Sequence, residues 1–294
     1  MRPVPRYPDV VVVGAGPGGC AAAVQCRRLG LDTLLVDRAG RPGGLIANAW
    51  RVENYPGVPP VDGPGFVALL AAHLERFGIQ VVEEEVLAVR PGLVVEGTRT
   101  SWRPRAVVLA VGTAALELDL PGAAGSRHVF TEVRALLERS PDRAVVVGGG
   151  EAALDQALSL SASGTRVTVM VRAERLASTG RLPEAVRADR RIEVRLGCAL
   201  RGLHATGNAV EVEVEDGGAT EWIVADGVLA AIGRRPLTSE LIGDLDLEPL
   251  DGVHTAVPGL FVVGDARLGG LGQAGVAVGD GLNAALAAAA EVRG

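Results

Sequence analysis

Hydrophobic positions in this chain fall in short runs bounded by glycine, the pattern of strands buried on both faces of a parallel sheet. Asp9 to Val13 reads as the first such strand and leads into Gly14-Ala15-Gly16-Pro17-Gly18-Gly19. A helical pattern follows from Cys20 to Leu29, stopped by Gly30, and a second strand runs from Thr33 to Val36. The same order returns later: a strand at Ala144 to Val147, Gly148-Gly149-Gly150-Glu151-Ala152-Ala153, a helix to Leu160, and a strand at Arg166 to Val171.

Two further runs echo each other. Ala106 to Gly112 and Gly227 to Gly233 each read as a buried strand ending in glycine, where backbone can approach a ligand closely. Another strand, Gly259 to Val263, ends at Gly264-Asp265 and is followed by a glycine-rich turn and a last helix over roughly Gly281 to Val292. The expected fold class is α/β, with two Rossmann-like three-layer dinucleotide-binding domains. The first, residues 1–117 and 237–294, is interrupted by the second, residues 118–236, with crossings near Leu118 and Pro236.

The glycine spacing carries chemistry. Gly14 permits the tight turn, Gly16 lets backbone approach a pyrophosphate, and Gly19 lets the helix pack close to the strand. The helix N-terminus that follows this loop, in which Pro17 is a further candidate contact, then presents free N–H groups to phosphate. Asp37, at the end of the second strand, is placed to accept hydrogen bonds from ribose hydroxyls. In the second motif Ala153 replaces the third glycine. Gly148, Gly150, Glu151 and Ala152 form the candidate phosphate loop. No acid stands where Asp37 stands in the first motif; Arg172 and Arg175 are there instead. A ribose 2′-phosphate suits Arg and would be repelled by Asp, which favours NADPH, although Glu174 lies between the two and NADH stays open.

Composition narrows the classes. A length of 294 residues accommodates two domains. A net charge of −6 and the lack of a basic run speak against nucleic acid. All 29 basic residues are Arg, so neither a Walker A lysine nor a pyridoxal phosphate Schiff base is available. Apolar runs are too short for a transmembrane span, and no secretory signal is evident, so the cytoplasm is the expected compartment. Three cysteines make a disulfide framework unexpected.

Taken together, the motifs resemble those of the low-molecular-weight thioredoxin reductases and their relatives, including the thioredoxin-reductase-like ferredoxin–NADP reductases. Gly43-Gly44, with Leu45 after it, and then Val52-Glu53-Asn54-Tyr55-Pro56-Gly57 resemble the segment that wraps the flavin. Gly264-Asp265 with Gln273-Ala274 resembles the C-terminal FAD motif. The resemblance implies FAD, with Asp265 at the ribityl chain, Gln273 and Ala274 at the pyrimidine edge, and Asn54 at the flavin end. Val86, Ala110 and Gly112 join the candidate FAD contacts, and Ile232 and Gly233 the nicotinamide side. It also implies a homodimer, and a nicotinamide domain that rotates about the crossings.

The chain departs from that family where thioredoxin reductases carry Cys-x-x-Cys. That stretch reads Ser126-Arg127-His128-Val129-Phe130-Thr131-Glu132-Val133, without cysteine. Cys20 and Cys26 sit six apart on one helix and share no face, and Cys198 is expected alone on a strand. Cys20, near a helix N-terminus, reads as a packing residue, with a redox role as the alternative. His128 and Glu132 read as a surface turn and a helix cap, with proton donation as the alternative. No side chain is assigned a catalytic role and no metal is expected. The expected activity is hydride transfer from NAD(P)H to flavin N5, then direct delivery to an unidentified small molecule or small redox protein. The alternatives are a ferredoxin- or flavodoxin–NADP reductase-like enzyme, though no flavin-covering C-terminal extension is expected; a thiol–disulfide enzyme using a partner's or substrate's cysteines; and a flavin-binding electron carrier or sensor that does not turn over.

Overall fold

The computed structural model describes residues 7–242, 251–269 and 272–294. The chain divides into two compact units. One comprises Met1–Ala47, Val52–Ala114 and Arg235–Gly294, and the other Asn48–Arg51 and Ala115–Arg234.

The first unit is built on a five-stranded parallel sheet. Its strands lie in the order Leu260–Val262, Ala106–Leu109, Val10–Val13, Thr33–Asp37, Val81–Glu83. Val10 pairs with Thr33 on one side and with Ala106 on the other. Side chains of a strand point alternately to the two faces. Val10 and Val12 accordingly pack with Ala22, Ala23 and Cys26 of the Pro17–Arg28 helix and with Ala284, Ala285 and Ala288 of the Ala274–Arg293 helix. Val11 and Val13 face the other way, onto Val89, Val95 and Trp102 of a small antiparallel sheet. Burial on both faces is why the strand reads as an unbroken run of valine.

The second unit repeats this plan. Its parallel sheet has the order Ile192–Leu196, Arg166–Val171, Arg143–Val147, Gly227–Ala230, Val129–Phe130. Ala144 and Val146 pack against Leu154, Ala157 and Leu158 of the Glu151–Ala162 helix. Val145 faces Leu203, Val210, Val212 and Val214 of a three-stranded antiparallel sheet. In each unit the glycine turn follows the central strand, where the strand order reverses. The two Rossmann-like domains expected from the sequence are thus present.

Some boundaries differ. The first helix starts at Pro17, not Cys20, because proline at the first helical position costs no hydrogen bond. The last helix starts at Ala274, well before Gly281. Glycine ordinarily weakens a helix, but here it is held by packing: a Cβ on Gly281 would lie 2.2 Å from Gly18 O, and one on Gly18 would lie 2.9 Å from Ala277 O. The missing side chains let the two helices meet backbone to backbone. Cys198 sits in the turn between strands Ile192–Leu196 and Ala199–Thr206, not on a strand. The glycine-rich turn after Asp265 includes residues 270 and 271, which lie outside the described residues.

The segment Asn48–Arg51 belongs to the second unit. Asp155, on the Glu151–Ala162 helix, accepts the Trp50 N–H at 2.9 Å and the Arg51 N–H as well. The Trp50 ring packs on the hydrophobic cluster of that helix. Asn48 donates its side-chain amide to Glu132, which also lies 3.7 Å from Arg234. Burial pushes the Asp155 carboxyl up from 3.8 to about 6, aided by the charge of Glu151 and opposed by the two backbone donors.

Two outcomes follow from this packing. Replacing Gly281 by Ala forces the two helices apart and lowers stability by about 1–3 kcal/mol, read as a drop in Tm, whereas Ala at Gly279, with open space around it, does not. The folded chain also holds the Asp155 proton up to about pH 6, while the unfolded chain releases it near 3.8. Stability from this group is therefore lost as pH rises from about 4 through about 6. In Tm measurements across that window Asp155→Asn gains on the parent as pH rises; a gain that shrinks would contradict the assignment.

Candidate functional site

The site of the first unit is assembled at the C-terminal end of its parallel sheet. Gly14 has φ +100°, and a Cβ there would lie 2.4 Å from Ala110 O. Gly19 is more tightly bound still: its Cβ would lie 1.8 Å from Gly14 O. Both glycines are thus required by the chain's own packing. Gly16 is different. It caps the Pro17–Arg28 helix with extended backbone, no side chain caps that helix, and a Cβ on Gly16 would meet nothing within 4 Å. The chain leaves open space beside uncapped N–H groups, as a pyrophosphate would need.

Asp37 closes this turn. One carboxylate oxygen accepts the Ala15 N–H at 2.8 Å and the other accepts the Ala39 N–H at 2.8 Å. The side chain expected at the ribose therefore also pins the glycine loop to the second strand. Gly43 folds back on the same loop through its N–H, donated to Ala15 O at 2.9 Å, and Gly44 and Leu45 open a short 3₁₀ turn. Ala110 donates its N–H to Val13 O, and Gly112 accepts the Leu237 N–H. Val86 is buried in the core beneath the sheet, so backbone is what it can present to a ligand. Glu84 next to it donates its N–H to Asp37 O. Burial pushes the Glu84 carboxyl up, but hydrogen bonds from the Thr98 hydroxyl, the Arg99 N–H and the Arg99 guanidinium hold it below its ordinary value.

The flavin-end candidates also converge. Asn54 donates its amide N–H to Gln273 Oε1 at 2.5 Å, across 219 positions of sequence. Gln273 caps the last helix and Ala274 is its first residue. Gly264 turns with φ +64°, donating its N–H to Asp280 Oδ2 at 3.0 Å, and Asp265 begins a short helix. Asp280 is buried and takes the Arg267 guanidinium in two further bonds, at 3.1 and 2.9 Å. The sequence reading had not singled out Asp280. Its signal was available: it is the lone acid in an apolar helix until Glu291.

In the second unit Gly148 has φ +139°, and a Cβ there would lie 2.3 Å from Ala231 O. Gly150 caps the Glu151–Ala162 helix without a side-chain cap, again with nothing within 4 Å of its Cβ position. Ala152 lies in the first turn of that helix. The acid missing opposite this loop is replaced by a packing residue: Val171 ends the second strand, and its methyl would lie 2.6 Å from a Cβ on Gly149. Arg172 and Arg175 are exposed just beyond it. Glu174 lies against Gly197, whose Cβ would sit 2.9 Å from its carboxylate oxygen. Ile232 is exposed, and Gly233 accepts the Leu116 N–H.

The stretch lacking Cys-x-x-Cys corrects one expectation. His128 is not on a surface turn; it is 2% exposed, with Nδ1 3.3 Å from Asp226 O. Its own carbonyl accepts the Val228 N–H, tying it to the sheet. Glu132 does occupy the N-cap position of the Val133–Leu137 helix, although its side chain makes no capping bond. No cluster of His, Cys, Asp or Glu among the described residues could hold a metal ion, and no described helix is long and apolar enough to cross a membrane.

Known proteins share this arrangement. Residues 8–281 match the family model described as pyridine nucleotide-disulphide oxidoreductase. The thioredoxin reductase of Bacillus subtilis (strain 168) is 31% identical over 293 residues, covering 94% of this chain and 92% of the relative. That of Listeria monocytogenes serovar 1/2a is 30% identical, covering 93% and 90%. Among solved structures, T. acidophilum thioredoxin reductase superposes with a TM-score of 0.89 at 27% identity, over 99% of this chain and 100% of that one. The Lactococcus lactis enzyme gives 0.87 at 27% identity, over 97% and 99%. The chain belongs to the pyridine nucleotide-disulphide oxidoreductase family, and is an FAD-dependent NAD(P)H oxidoreductase of thioredoxin reductase-like fold.

Proposed function

We propose that this enzyme passes electrons from NADPH to an external acceptor directly from its flavin, with no dithiol of its own. The observation that carries this reading is the state of the three thiols. Cys20, Cys26 and Cys198 are all free and buried. Cys20 donates its S–H to Ala15 O at 3.3 Å, and burial, with the charge of Asp37, pushes its pKa up to about 12. Burial does the same to Cys26, also to about 12. Cys198 is raised by burial and by Asp216, against the pull of Arg195. A thiol must ionise to attack a disulfide, and at Cys20 and Cys26, with a pKa near 12, only ~1 in 10⁴ does so at pH 8. These cysteines are packing residues.

Bound FAD and NADPH supply the hydride chemistry themselves. The chain's part is to bind and orient. In this reading the Gly14–Gly19 turn and its helix N-terminus take the FAD pyrophosphate, and Asp37 takes the adenosine ribose. Asp265, Gln273, Ala274 and Asn54 hold the flavin end, with Asp280 and Arg267 fixing the Gly264 turn beneath them. Gly148, Gly150 and the helix at Glu151 take the NADPH pyrophosphate. Val171 supports the choice of NADPH, because it stands where the first unit has Asp37 and puts no carboxylate beside a 2′-phosphate. Glu174 lies against Gly197, and Arg172 and Arg175 are the groups taken to meet that phosphate. The acceptor is a small molecule or small redox protein, and the cytoplasm and a homodimer belong to the same reading.

Mixed anaerobically with NADPH, the holoenzyme loses its oxidised-flavin absorbance; no bleaching would defeat the proposal. Replacing Arg172 and Arg175 together by Ala raises KM for NADPH by about tenfold or more, as expected for lost bonds to a charged group, and leaves KM for NADH unchanged. At pH 8 the native protein resists a thiol reagent until it is unfolded. Rapid labelling of any thiol after NADPH addition, with loss of turnover, would restore a thiol to the electron path.

A further inference from the structure

The two units share more than topology. A constant shift of 134 positions carries Gly14 to Gly148, Ala15 to Gly149, Gly16 to Gly150 and Asp37 to Val171, with no insertion or deletion. The hydrogen bonds move with it. Gly14 donates its N–H to Val36 O at 2.8 Å, and Gly148 to Met170 O at 3.0 Å. The shift persists beyond the second strand: Gly43 N–H reaches Ala15 O at 2.9 Å, and Ala177 N–H reaches Gly149 O at 2.9 Å. In both units the loop after that strand folds back on the glycine turn. Position 178 of one unit is therefore position 44 of the other.

Gly44 lies over Gly16, the glycine beside the open space, since a Cβ on it would stand 3.3 Å from Gly16 Cα. In the second unit this place is held by Ser178, whose own N–H also reaches Gly149 O, at 3.3 Å. Ser178 is 7% exposed, and its Oγ is buried without any hydrogen-bond partner. A buried hydroxyl left unpaired is costly, and such groups in folded proteins usually answer to a ligand, a water or a catalytic need. Beside it the Glu151–Ala162 helix begins uncapped, with open space at Gly150. Unused hydroxyl, free helix N–H groups and open space are gathered at one turn.

We propose that Ser178 is a ligand of the nicotinamide dinucleotide, donating its hydroxyl to a pyrophosphate oxygen beside Gly150. This rests on reading the second unit as the NADPH unit. A serine hydroxyl moves among three staggered χ1 positions, and this one gives up no partner when it turns toward a phosphate. The FAD unit has glycine at the equivalent position, with φ +69°, and so offers backbone alone. The hydroxyl is a donor that the second unit adds to a shared plan.

Ser178→Ala removes one oxygen and tests the assignment. ADP-ribose carries the pyrophosphate and 2′-AMP does not, so calorimetric binding of the two to the holoenzyme separates the phosphate sites without turnover. The variant is expected to bind ADP-ribose about tenfold or more weakly, to bind 2′-AMP as the parent does, and to retain its flavin. KM for NADPH and for NADH rises by the same factor, with ferricyanide as acceptor, because both share the pyrophosphate. Unchanged ADP-ribose binding would overturn the proposal, and so would equal loss of both fragments, which marks a structural role. A parent enzyme that binds ADP-ribose yet is not reduced by NADPH would instead count against the proposed function and leave Ser178 in place.

Discussion

A backbone oxygen stands where a side chain would have to be. Gly14 O occupies the position of a Cβ on Gly19, 1.8 Å away, and Ala110 O lies 2.4 Å from that of Gly14. Any side chain at either place drives the first helix off its strand. The Pro17–Arg28 helix could then no longer start where the sheet ends, and its free N–H groups would not face the space at Gly16. The apposition of Gly18 with Gly281, which seats the last helix, depends on the same placement. The last helix in turn carries Gln273 at its start and Asp280 under the Gly264 turn. One close approach of backbone to backbone thus organises the glycine turn and the last helix of the first unit.

The second unit repeats the same turn in different surroundings. Gly148 meets Ala231 O as Gly14 meets Ala110 O. The differences lie in what surrounds the turn. Where Asp37 accepts the Ala15 N–H and still offers oxygen lone pairs, Val171 packs its methyls on Gly149. Where Gly43 and Gly44 bring bare backbone over the loop, Ala177 and Ser178 bring a methyl and a hydroxyl. Three side-chain exchanges, Asp37 to Val171, Gly43 to Ala177 and Gly44 to Ser178, alter the lining of the turn while the scaffold stays the same.

The thiols show how burial decides chemistry. Cys20 has a location that favours a reactive cysteine, in the first turn of a helix. Its surroundings outweigh that: it is 2% exposed, bonded to Ala15 O and close to the carboxylate of Asp37. Desolvation and a like charge both disfavour the thiolate, and the helix N-terminus does not offset them.

Much of the fold was legible because periodicity and glycine spacing are local. Strands buried on both faces had to be unbroken apolar runs, and Gly14-x-Gly16 between strand and helix had to be a turn. The first helix begins early for a local reason, since Pro17 at its first position costs no hydrogen bond. The early start at Ala274 instead lies where tertiary packing changes the meaning of a residue: a glycine that would weaken an isolated helix is demanded by a neighbouring helix. His128 was read as exposed because nothing in its local sequence reports that its ring packs against the edge of a sheet and Asp226. The pairing of Asn54 with Gln273, the grip of Asp280 on Gly264 and Arg267, the docking of Trp50 at Asp155 and the orphan hydroxyl of Ser178 were likewise absent from local pattern. By itself the sequence determined two nucleotide-binding folds and the absence of a Cys-x-x-Cys, since these depend on residue type and spacing. The tertiary structure decided which polar atoms meet and which are left unpaired, because desolvation and long-range hydrogen bonds exist only once distant segments are brought together.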